Sequence, residues 1–175
     1  MGVLARYREL AAKVDAFFAR AHARHAGDMR CRAGCFDCCL TEPTLTGVEA
    51  AFVRATVPAD VRARLASRPR RPGRCVALDT HDGDDGDGRC AIYEARPLVC
   101  RSHGVPIRMG PDVLACHLNF TARGPAAADA DCILDQTTLS TVLATVDAAY
   151  VAESGRGPEE PDGIVRVDLR EALAP

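Results

Sequence analysis

The sequence predicts an α+β fold, mainly helical, in which small irregular hairpins surround a central cysteine-rich metal site. Three observations predict it. An apolar stripe with helical spacing lies near each end of the chain, and short apolar runs separated by turn residues fill the middle. Nine cysteines are present, eight of them between residues 31 and 116. At 175 residues the chain is long enough to bury a core as a single domain over residues 1–175, so cysteine is not needed as a staple.

Taken in order, residues 3–26 place Val3, Tyr7, Leu10, Val14, Phe17 and Ala21 at alternating spacings of four and three, one face of an amphipathic helix packed on its own domain. Thr46 and Glu49 fit a capping box ahead of "AAFVRAT", and Pro58 suits the first turn of a third helix. "RPRRPGR" then breaks regular structure. "CVALD" and "RCAIY" flank the acidic stretch "THDGDDGDG" and read as a hairpin with Cys75 and Cys90 in its strands. Aligning Asp85, Asp87, Gly88 and Glu94 with a calcium loop puts Gly83 where the first carboxylate is required, so the stretch reads as a solvated loop. Pro97 leads a short helix carrying Cys100, and "VPIRM" and "DVLAC" around Gly110 and Pro111 form a second hairpin. The last long helix falls within residues 134–153, with Leu139, Val142, Leu143, Val146 and Tyr150 on one face. "SGRGPEEPDG" is a loop, and "IVRVDLREAL" docks as a strand or a helical turn.

A formal charge of −2 argues against a nucleic-acid partner, although six arginines between Arg62 and Arg74 abut five aspartates between Asp79 and Asp87. No apolar run approaches the ~20 residues that cross a bilayer, so no membrane association is expected. "MGVLARYREL" is charged and carries no cleavage signal, which predicts a cytoplasmic, reducing location. There, dense cysteine points to metal rather than disulfides.

"CRAGCFDCC", residues 31–39, sharpens this reading. On a helix, Cys31, Cys35, Cys38 and Cys39 would share a face as small apolar residues. Gly34 weakens such a helix and permits a tight turn, and Cys35 to Cys38 has the spacing of a tetrahedral site. Cys39, on extended backbone, would point away from Cys38. Cys75, Cys90, Cys100 and Cys116 can reach a common centre, with His103 and His117 close in sequence, whereas Cys132 reads as core. Arg30, Arg32, Arg74, Arg89 and Arg101 each flank a cysteine, an environment that favours thiolates.

"CRAGCFDCC", then "RCVALD" and "RCAIYEARPLVCR", resembles the bacterial cysteine-cluster proteins described as zinc- or iron-chelating, the YkgJ-like family. The resemblance covers about residues 31–101 and is most specific at 90–101, with Ile92, Tyr93, Arg96, Pro97, Cys100 and Arg101 in order. Three residues separate Cys31 from Cys35, where the family commonly has two. The resemblance implies a metal centre of zinc or iron, and relatives include flagellin lysine methylases with an iron–sulfur centre. The thiols outnumber the needs of one four-coordinate ion, which leaves one site with bystanders, two zinc sites, or an iron–sulfur cluster held by four cysteines. Two functional classes follow: a metal-binding module, structural or carrying metal to a protein partner, and an iron–sulfur- or zinc-dependent enzyme of methylase-like activity.

Overall fold

A computed structural model describes residues 2–80, 88–155 and 166–174. The acidic hairpin loop and most of the loop after the last long helix lie outside these residues. The first helix, α1 (Val3–Arg24), is followed by the cysteine segment and a short strand, β1 (Thr44–Thr46). Two helices, α2 (Gly47–Thr56) and α3 (Ala59–Ala66), come next, with Pro58 as the residue just before α3. The expected hairpin is β2 (Leu78–Thr80) against β3 (Gly88–Cys90), antiparallel with Leu78 opposite Cys90. Cys75 therefore precedes its strand rather than lying in it. The short helix α4 (Leu98–Ser102) starts directly after Pro97.

The second hairpin pairs β4 (Ile107–Met109) with β5 (Asp112–Leu114), turning at Gly110, whose φ of +61° suits glycine. A parallel strand the sequence did not signal, β6 (Leu134–Asp135), joins β4 and leads into α5 (Gln136–Ser154). Asp135 caps α5, its side chain accepting from the Thr138 N–H at 2.7 Å. The tail forms both expected alternatives in succession, a strand β7 (Arg166–Asp168) paired with β1 and a helical turn α6 (Leu169–Leu173).

Helix α1 packs on α2, α4 and α5, and α6 packs on α2 and α3. Tyr7, Val14, Leu45, Val53, Leu65, Leu98 and Leu169 are buried in the larger apolar cluster. A smaller cluster gathers Ala21, Met29, Val105, Phe120 and Cys132 at the other end of α1. The expected stripe on α1 is recovered with Ala11 in place of Leu10 and Phe17, which are only partly buried. On α5 the outcome differs more. Val142 is 40% exposed, and the buried residues are Leu139 and Asp147. Asp147 faces inward because its Oδ1 accepts the Val48 N–H at 2.7 Å, satisfying a donor that the start of α2 leaves free. Burial raises the Asp147 pKa above the usual carboxylate value.

Glu49 is the second buried carboxylate of this frame. Its Oε2 accepts the Thr46 N–H at 2.9 Å, the reach-back half of the expected capping box. Its Oε1 accepts the Leu98 N–H at 2.9 Å and the Tyr7 hydroxyl at 3.4 Å. One side chain thus ties α1, α2 and the start of α4, two residues from Cys100.

Candidate metal centre

Residues 31–39 are not a helix. Around Gly34, at φ +91°, the Cys35 N–H bonds back to Arg32 O at 3.1 Å, and only Asp37–Cys39 forms a single 3-10 turn. A face of apolar cysteines is therefore excluded. Gly34 also bridges Gly88 at the start of β3, with the Gly88 N–H 3.2 Å from Gly34 O. A Cβ on Gly88 would lie 2.8 Å from both Leu78 and Phe36 side chains, so the close approach of the two segments requires glycine.

The result is a cavity of about 440 Å³ lined by Cys31, Cys35, Cys38, Cys39, Cys75, Cys90, Cys100 and Cys116. All eight cysteines singled out from the sequence converge, and Cys132 instead lies fully buried in the smaller apolar cluster. All nine are free thiols. His103, Asp37, Tyr93 and Arg96 share the lining, and His117 stands at the rim beside Asp37.

Local backbone fixes most of these sulfurs. The Cys75 N–H donates to Cys39 O at 2.8 Å, joining the first cysteine segment to the hairpin. The backbone N–H groups of Ala77, Ile92 and Leu118 act on Cys75, Cys90 and Cys116 against the effect of burial, favouring the thiolate that metal needs. Cys31 is held by a residue the sequence reading missed. Asn119 Nδ2 donates to its sulfur at 3.3 Å and to Gly104 O at 2.7 Å, while Asn119 Oδ1 accepts the Arg30 N–H at 2.7 Å. Gly104, at φ +103°, leaves the space the sulfur fills, since a Cβ there would lie 2.5 Å from it. An asparagine and a glycine far from the cysteine motif carry no local signal of this role.

Cys38 and Cys39 differ from the expectation of opposite directions. Both sit in the 3-10 turn rather than on extended backbone, and the interaction between the two neighbouring thiols lowers Cys38 and, with burial, raises Cys39. Burial raises Cys75 to about 11 and raises Cys100 further, and it also lifts Cys31, Cys90 and Cys116. Neighbouring thiols add to the rise in each case, so negative charge on one opposes charge on the next.

Arginine compensation comes from a different residue than the sequence indicated. Arg101, next to Cys100, is buried and pairs with Asp15 of α1, and its Nε donates to Arg96 O at 2.8 Å. Arg96 also reaches Asp15, at 3.1 Å, stacks on Tyr93 with 3.7 Å to the ring centroid, and is the guanidinium that favours ionised Cys38 and Cys90. Asp15 thereby holds the "RPLVCR" turn against α1.

Among the described residues, two groups bring three ligand atoms within 4.8 Å of one another: Asp37, Cys116 and His117, and His25, Asp129 and Cys132. The second is accounted for by packing, because Arg123 donates to His25 Nδ1 at 3.0 Å and Cys132 is buried. No group consists of cysteines alone, so the thiols line a shared cavity without closing around one point, and a single ion would engage four of them only after side-chain rotation.

Thiolates with imidazoles at the edge are donors for zinc or iron rather than for magnesium or calcium. The fold and cavity therefore define a cysteine-cluster domain. Residues 30–116 match the CxxCxxCC family, described as "Putative zinc- or iron-chelating domain", and over this central half the chain belongs to it. The match extends the expected span of 31–101 as far as Cys116. No curated protein and no solved structure matches the chain.

Proposed function

We propose that the chain is a metal-binding module that holds zinc or iron through thiolates of its central cavity. The observation that carries this reading is that eight of nine cysteines, drawn from five separated segments, line one cavity while the ninth is packed in a core. Cys38, Cys39, Cys75, Cys90 and Cys100 form the inner set, with the Cys75 N–H bond to Cys39 O and the pairing of Leu78 with Cys90 holding the turn and the hairpin together on the cavity wall. Cys31 and Cys35 lie toward Cys116.

The donor set also suits an iron–sulfur cluster held by four cysteines, which would support an enzyme of the methylase-like class. Pairing of β1 with β7 supports reading residues 1–175 as one domain. Among the described residues no helix is long and apolar enough to cross a membrane.

Anaerobic purification with an absorption spectrum and elemental analysis tests the reading. Bound zinc gives no visible band, and an iron–sulfur cluster gives sulfide and a broad visible absorption. A folded Cys100→Ser protein should lose metal, whereas Cys132→Ser should keep it. Full occupancy in Cys100→Ser would overturn the assignment.

A further inference from the structure

Asp37 and Cys116, on the cavity lining, meet His117 at its rim and together offer a chemistry different from that of thiols alone. Asp37 opens the 3-10 turn, while Cys116 and His117 follow β5. The Cys116 carbonyl accepts the Asn119 N–H at 2.8 Å, and Asn119 is bonded to both Arg30 and Gly104, so this loop is pinned to the segment that leads into the first cysteines. The three ligand atoms all lie within 4.8 Å of one another, with His117 Nδ1 at 3.4 Å from Asp37 Oδ2. Donors around a tetrahedral zinc ion are separated by about 3.5 Å.

A surface ion pair would explain two of the three groups. The His117 side chain is 73% exposed, and such a pair contributes little to stability. It does not account for the Cys116 sulfur, which lies within 4.8 Å of both other ligand atoms.

We infer that Asp37, Cys116 and His117 form a second, mixed-donor binding site for a zinc-class divalent ion at the rim of the cysteine cavity. Oxygen, sulfur and nitrogen donors together suit such an ion, and the exposed imidazole gives it a path from solvent. Among the described residues no fourth ligand atom joins the group, so one coordination position stays open to water or to a ligand brought by another molecule. The inner thiols offer sulfur alone. The site extends the proposed metal-binding role, on which it rests, and shares Cys116 with the thiols that line the cavity.

The test uses the full chain, reduced and reconstituted with cobalt(II) under anaerobic conditions. Cobalt content, thiolate-to-cobalt charge-transfer absorption and paramagnetically shifted imidazole proton resonances are read together. His117→Arg puts a side chain able to pair with Asp37 at the same place but has no lone pair to give a metal. It should lose one ion per chain and the shifted imidazole resonances while retaining most of the charge-transfer band. Cys116→Ser should lose the same ion, which guards against a folding defect in one variant. Cys100→Ser should leave the shifted imidazole resonances in place and lose charge-transfer intensity. Unchanged cobalt content and resonances in both His117→Arg and Cys116→Ser would overturn the rim site while leaving the inner centre intact. Absence of cobalt from the unsubstituted chain would overturn both.

Discussion

The helical frame and the cysteine centre are built on opposite terms. The frame buries Tyr7, Leu45, Leu65, Leu98, Leu169 and Leu173 almost completely and satisfies its two inward carboxylates with backbone donors. The centre gathers eight thiols around a cavity, and they raise one another's pKa values. Apolar burial of this kind stabilises the frame by roughly 2 kcal/mol per large side chain, without any ligand. On the proposed function, a cation that replaces the protons on these sulfurs would add to the order of the centre. The expected difference is a frame that keeps its structure without metal and a centre that loosens.

Metal removal should expose this difference most strongly, because structural zinc contributes on the order of 10 kcal/mol in small thiolate sites. Chelation should sharply accelerate hydrogen exchange across residues 31–39 and 88–116 and leave α1, α2 and α5 protected. Equal protection in both regions after verified metal loss would erase the distinction. Glu49→Ala should then show the frame's own dependence. It strands the Leu98 N–H and the Tyr7 hydroxyl, and a cost of about 3 kcal/mol is expected in denaturant unfolding of the metal-free protein.

A pH series separates the regions next. Thiols whose folded pKa is raised bind more protons folded than unfolded, so metal-free stability is full below the ordinary thiol pKa of about 8.5 and falls as pH rises toward the folded value, about 11 for Cys75. Thermal unfolding between those limits should show the metal-free protein losing stability. The metal-bound protein should not, since its thiols carry no proton to lose, and metal affinity should rise with pH over the same range. The smallest effect belongs to Cys132→Ser. A hydroxyl placed in the apolar cluster should cost about 1–2 kcal/mol by calorimetry with metal stoichiometry unchanged.

Much of this arrangement was legible in the sequence where spacing and residue chemistry agree. The helical stripe of α1, the start of α2 at Thr46 and the two hairpins follow from periodicity, caps and turn residues. The eight cysteines were separable from Cys132 by their company in the chain. What escaped notice depends on partners distant in sequence. Asp147 looks like a solvent-facing residue until the Val48 N–H is known to face it. Asn119 and Gly104 acquire their roles only through Cys31, and β6 is too short to carry a pattern. Arg101 was paired with the nearest thiol because adjacency is visible and Asp15, eighty-six positions away, is not. Cys38 and Cys39 turned together because a 3-10 turn replaced the extended backbone assumed for them.

The hole at Gly104 constrains two distant positions unequally. The sulfur of Cys31 occupies the volume that any side chain at 104 would claim, and Asn119 bonds to both sites. The φ of +103° at Gly104 keeps that position to glycine even where the thiol is lost. Among natural variants of this chain, position 31 should therefore change more freely than position 104, which should stay glycine.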